Sequence, residues 1–181
     1  MKGIVFTEFL EMVEEKFGME VADHIVTQSD LPSQGIYTAV GTYDHQEMMS
    51  LVTNLSQASD LPMSDLLRVY GQHLFGRFSQ LYGRFFQEIP DAFSFLSRIE
   101  DYIHVEVKKL YPDAELPQFE IQYSDPDHLQ MIYQSKRGLA DFAEGLIQGC
   151  VDHFQEKVQI KREPLDQGGY KVKFILTRQT A

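Results

Sequence analysis

Leu129-Gln130-Met131-Ile132-Tyr133-Gln134-Ser135-Lys136-Arg137 opens with strand character and closes on a row of polar side chains. On an extended strand, residues two apart share a face. Tyr133, Ser135 and Arg137 would then present two hydroxyls and a guanidinium to one side, with Gln134 and Lys136 pointing the other way. Such a row suits a pair of carboxylates, because arginine binds one bidentately and the hydroxyls complete its coordination. An ordinary solvated edge strand has the same spacing, so the flanking chain has to decide between the two.

Upstream, Ser124-Asp125-Pro126-Asp127 reads as a turn and 119–123 as a strand, which makes an antiparallel hairpin. Downstream, Phe142, Leu146, Cys150 and Phe154 recur at four-residue steps and predict a helix over 139–156. The chain ends in a second hairpin. Val158 and Ile160 alternate with polar neighbours, Gly168-Gly169 supplies the turn, and Tyr170, Val172, Phe174 and Leu176 share a face. Before the first hairpin, a helix is expected over 91–110, with Leu96, Ile99, Ile103, Val107 and Leu110 on one stripe. His104 lies on the shoulder of that stripe, and Tyr111-Pro112 ends the helix.

The first half is helical. Val5, Phe9, Val13 and Phe17 predict a helix over 4–17, followed by a shorter piece over 20–28 and a connection over 33–43. A third helix is expected to start at Asp44, with Glu47 three residues on in a capping-box-like arrangement, and to run to about residue 57. A longer one begins near Pro62 and Met63 and is broken by 83–90. Gly71 and Gly76 inside it each cost about 1 kcal/mol relative to alanine. A closely approaching backbone or a flat ligand would account for that, and so would chance. The fold class is α+β, as a single domain over 1–181. A helical N-terminal lobe, about 1–62, precedes a lobe, about 63–181, of helices packed on a four-stranded, mainly antiparallel sheet.

The 181 residues are enough to bury a sizeable core, and 43% hydrophobic with 24% charged residues is an ordinary globular balance. With 16 basic against 27 acidic residues, the net charge of −11 argues against a nucleic-acid binder or an anionic-membrane binder. Cys150 is the only cysteine, which excludes an internal disulfide and a cysteine metal cluster and fits a reducing compartment. The opening meets acidic residues too soon for a signal peptide, and no apolar run reaches membrane-spanning length, so a cytoplasmic location without membrane insertion is expected.

No phosphate-binding loop, dinucleotide fingerprint, His-Glu-x-x-His or Gly-x-Ser-x-Gly is present. Of six histidines, His104 alone sits in an apolar helix, Ile103-His104-Val105-Glu106-Val107. It reads either as a hydrogen-bonded, partly buried histidine or as an axial ligand to heme iron, whose lone proximal histidine lies in an apolar wall. Two heme propionates would need a carboxylate clamp of the kind Tyr133, Ser135 and Arg137 could form.

At this point the chain resembles the H-NOX (heme nitric oxide/oxygen-binding) family, which includes the heme domain of soluble guanylate cyclase. The matching features run through the whole chain: Met1-Lys2-Gly3, His104 late in its helix, Tyr111-Pro112, Pro117, Tyr133-x-Ser135-x-Arg137 and Leu146. The resemblance implies heme b (ferrous iron protoporphyrin IX) between the lobes, with His104 as proximal ligand and Tyr133, Ser135 and Arg137 holding the propionates. It also implies that Pro117 presses on the porphyrin from the proximal side and that Val5 packs against the macrocycle from the N-terminal lobe. Simple core packing is the other reading of Val5, Phe9, Leu74, Phe78 and Leu146.

Oxygen-binding members resemble one another in carrying a tyrosine five residues after the motif arginine. Here that position is Phe142, and the other distal positions are Phe9, Leu74 and Phe78, none of them a hydrogen-bond donor. A protein that binds NO and CO but holds no stable O₂ is therefore expected. The resemblance implies a non-enzymatic sensor in two-component or related signalling, whose gas-biased movement regulates a separate histidine kinase or diguanylate cyclase. The alternatives are an O₂ or redox sensor of the same fold and a heme-free domain for an apolar carboxylate ligand.

Overall fold

The computed structural model describes residues 1–179. Seven α-helices and four strands occur among them. The N-terminal part is built by α1 (Gly3–Phe17), α2 (Met19–Gln28) and α3 (His45–Ser59), with α4 (Met63–Leu81) following. A 3₁₀ turn at Gly83–Phe86 then leads to α5 (Ala92–Leu96) and α6 (His104–Leu110). The hairpin β1 (Gln118–Ser124) and β2 (His128–Gln134), helix α7 (Ala140–His153), and the hairpin β3 (Val158–Pro164) and β4 (Lys171–Arg178) complete the chain. All strand pairs are antiparallel, in the order β1-β2-β4-β3. No helix among the described residues is long and apolar enough to cross a membrane.

The inward face of the sheet carries Leu129, Met131 and Tyr133 of β2 beside Val172, Phe174 and Leu176 of β4, all buried. Strand alternation puts them on one side, and burying each large aliphatic side chain contributes roughly 1.5–3 kcal/mol. They form one cluster with α5, α7 and Phe75 of α4. A second cluster joins Phe6, Phe9 and Met12 of α1 to α2, α3 and the first half of α4, with Leu139 from the C-terminal part. Helix α4 thus serves both clusters.

Three local expectations change. Asp44 caps α3 by accepting from the Gln46 N–H at 2.9 Å, but Glu47 does not complete a capping box. Its carboxylate is buried and accepts instead from the Ser33 hydroxyl and, at 2.9 Å, from the Tyr37 hydroxyl. The expected helix over 91–110 is interrupted. Helix α5 stops at Leu96, and a π-helical turn at Ile99–Ile103 precedes α6. There the Arg98 carbonyl takes both the Tyr102 and Ile103 N–H groups, and His104 N–H reaches back to Ile99. Finally, β2 ends at Gln134, so Ser135 and Arg137 lie beyond the strand.

The two helical glycines separate. A Cβ on Gly71 would lie 2.3 Å from the Phe142 carbonyl oxygen, and one on Gly145 of α7 would lie 2.1 Å from that of Arg68. Helices α4 and α7 therefore meet backbone to backbone. Gly76 has nothing within 4 Å of the same position. Gly145→Ala is accordingly expected to destabilise by about 1–3 kcal/mol, whereas Gly76→Ala should stabilise by about 0.5–1 kcal/mol. Urea melts of the two variants check both signs.

Candidate functional site

Between the two clusters lies a cavity of about 510 Å³. Helix α1 reaches it with Ile4 and Val5, α4 with Leu74 and Phe78, and α7 with Phe142 and Leu146. Pro117 and His104 also line it, and so do Tyr133, Ser135 and Arg137. Side chains more than a hundred residues apart in the chain thus share one wall. Of the residues singled out in the sequence, only Phe9 stays off it. Phe9 is fully buried and packs edge-on against Tyr70, with ring centroids 5.1 Å apart. Tyr70 in turn stacks on Phe142 at 5.1 Å, so Phe9 supports the wall from one layer behind.

His104 opens α6 just after the π turn. Its Nδ1 lies 3.1 Å from Oε1 of Glu100, one turn earlier, and the same oxygen accepts the Phe119 N–H at 2.7 Å. Burial pulls the imidazole below its ordinary pKa, while Glu100 pulls the other way. Depression favours the neutral ring, the form that ligates metals. With Nδ1 engaged, Nε2 is the nitrogen left to donate. Among the described residues no three histidine, cysteine or acidic side chains converge on a metal site.

The opposite chemistry gathers at the rim. The phenol of Tyr133 is held on the inward face of β2, and burial pushes its pKa up. Beyond the strand, the Ser135 hydroxyl accepts the Arg137 N–H at 3.2 Å and closes a turn. That turn, rather than a continuous strand face, brings the arginine to the cavity. The Arg137 guanidinium holds the Glu115 carbonyl and the Glu115 carboxylate, each at 2.9 Å. Lys2 stands at the same rim, 3.1 Å from Asp113 and 2.8 Å from the Thr42 hydroxyl.

Comparison with known proteins fits this geometry. The family model described as Haem-NO-binding matches residues 2–162. The chain belongs to the H-NOX family. The Fe(II) unliganded H-NOX protein from K. algicida is 43% identical over 100% of this chain and 98% of its own, with a TM-score of 0.96. An H-NOX protein from S. oneidensis in the Fe(II)NO ligation state is 30% identical over 99% and 100%, with a TM-score of 0.91. The H-NOX from Shewanella woodyi, bound to IWP-051 in the Fe(II)CO state, is 43% identical over 99% and 95%, with a TM-score of 0.84. Among curated proteins there is no match.

An H-NOX chain binds heme, and the residues present fit that group. The cavity wall is largely apolar, it contains the anchored His104 imidazole, and its rim holds a guanidinium beside two hydroxyls. Arg137 already grips a carboxylate, that of Glu115, as a propionate would require. Two participants escaped the sequence reading. Glu100 carried a signal, since it stands four residues before His104 and so shares its helical face. Tyr70 gave less away, because it sits in the apolar stripe of α4 and looks like core.

Tyr70 is fully buried, and its hydroxyl donates to the Val5 carbonyl, tying α4 to the part of α1 that meets the cavity. Tyr70→Phe removes that bond and should lower stability by about 0.5–1.5 kcal/mol, read by thermal or urea unfolding.

Proposed function

We propose that this chain is a heme-based sensor of nitric oxide, with heme b in the cavity between the lobes. In this reading His104 would ligate the heme iron, and Tyr133, Ser135 and Arg137 would hold the propionates. The observation that carries it is the His104 imidazole, anchored at Nδ1, in a largely apolar cavity whose rim bears a guanidinium and two hydroxyls. Ferrous heme b supplies an iron that takes diatomic gases.

The chain's own residues do the rest. His104 offers Nε2 as a neutral donor. Arg137, which holds the exposed Glu115 carboxylate, would hold a propionate in the same way, and Tyr133 and Ser135 would add hydroxyl bonds. Pro117 and Val5 supply apolar contact on the proximal side and from the N-terminal lobe. Leu74, Phe78, Phe142 and Leu146 exclude water and carry no hydrogen-bond donor. The Tyr70 hydroxyl behind them is spent on Val5.

Four apolar side chains in that part of the wall suit NO and CO, which need no hydrogen bond to be retained, and disfavour stable O₂ binding. The NO- and CO-ligated states of the relatives from S. oneidensis and Shewanella woodyi support the same choice. The chain then acts in the cytoplasm without catalysis of its own. A change in the hold of His104 passes through its helix to the surface, which alters the grip on a separate histidine kinase or diguanylate cyclase. Cys150 is buried and burial pushes its thiol well up, which speaks against thiol oxidation as the stimulus.

Absorption spectra of the anaerobically reduced protein test the reading. A Soret band that shifts with NO and with CO, but gives no lasting spectrum with O₂, is expected. A colourless protein that takes up no hemin would instead favour an apolar carboxylate ligand. His104→Gly should lose tight axial ligation unless free imidazole is supplied, and an unchanged spectrum would remove His104 from its role. Arg137→Ala should weaken hemin binding by about 1.5–3 kcal/mol, the loss of a charge-assisted bond, measured by titration.

A further inference from the structure

We infer that Glu100 is the positioning residue of the site: it fixes the His104 ring through Nδ1–H and sets how strongly Nε2 donates. The inference rests on His104 as the axial ligand and goes beyond that assignment. The geometry comes from the interrupted helix. The π turn at Ile99–Ile103 and the start of α6 bring the Glu100 carboxylate within 3.1 Å of His104 Nδ1. The carboxylate does not swing freely, because its Oε1 also accepts the Phe119 N–H of β1 at 2.7 Å. One oxygen therefore joins the imidazole to the sheet.

The surroundings leave Glu100 as the partner of that ring. The Phe119 ring approaches the imidazole with centroids 6.1 Å apart and offers no acceptor. Lys108, one turn on, acts on His104 as a like charge. A carboxylate that accepts the N–H of a ligating histidine fixes its tautomer and orientation and raises its basicity. Here the orientation is also referred to the backbone of β1. Two consequences follow. With heme bound, the ferric state would be favoured over the ferrous, and the His104 bond to iron would be stiffer than an unpaired imidazole would give. Glu100 would thereby set how firmly His104 holds the iron.

Glu100→Gln separates charge from shape, because its amide oxygen can still accept from both donors. Glu100→Asp is too short to reach and should behave as Glu100→Ala. In the heme-loaded full chain, Glu100→Gln is expected to move the reduction potential in the positive direction and to lower the iron–histidine stretching frequency in the Raman spectrum. Glu100→Ala should move both further.

Should the variants fail to fold, proton NMR of the CO-saturated ferrous wild type reads the same bond. An exchange-protected, strongly downfield Nδ1–H supports the inference, and its absence overturns it. If Glu100→Gln leaves potential and stretching frequency unchanged while His104→Gly alters the spectrum, the role of Glu100 falls and the ligand stands. If His104→Gly also changes nothing, the ligand assignment falls and Glu100 goes with it.

Discussion

Where Gly71 of α4 and Gly145 of α7 face each other's helices, backbone meets backbone with no room for a methyl group. Much else depends on that approach. Helix α4 carries Leu66 to Leu74 into the N-terminal cluster and Phe75 into the C-terminal one, so it belongs to both halves. Helix α7 lies on the sheet. Their contact therefore fixes the distance between the two halves, and with it the width of the cavity. Leu74 and Phe78 line it from α4, and Phe142 and Leu146 from α7. Interiors packed to crystal density transmit such constraints with little give.

The cavity is apolar, yet polar groups surround it, each with a partner. The Tyr70 hydroxyl finds the Val5 carbonyl, the Glu8 carboxylate finds Arg77 at 2.6 Å, and Glu100 takes both His104 and Phe119. Leaving any of these groups unpaired would cost roughly 1–3 kcal/mol. The consequence for ligand selection is a wall that has spent its donors elsewhere. Two polar features on that wall stand out: the second nitrogen of His104, and the Arg137 cluster at the rim.

The pattern of elements was legible in the sequence because hydrophobic period and turn chemistry agree. The final hairpin came through with Val172, Phe174 and Leu176 on one buried face after a Gly168-Gly169 turn, but β4 starts at Lys171 and leaves Tyr170 exposed outside it. The region around the ligand was harder to read. A helix over 91–110 satisfies the apolar spacing, but spacing says nothing about one carbonyl accepting two N–H groups, which is what breaks it at Arg98. Glu47 looked like a helix cap, and tertiary partners Ser33 and Tyr37 won the competition for its carboxylate. The polar row at 133–137 gathers at the cavity, but through a turn closed by Ser135. Phe9 shares a helical stripe with Val5, and only the depth of packing separates wall from backing.

The π turn ahead of His104 has a meaning in terms of residue count. A helix turn that holds an extra residue is equivalent to a one-residue insertion into an α-helix. Were the same residues wound as a regular α-helix, everything beyond them would rotate by about 100° relative to the chain before it. His104 would then leave the cavity with its identity intact. The aim of the imidazole thus depends on how the segment is wound as much as on its letters: the wider turn absorbs the extra residue and keeps the helix beyond it in phase.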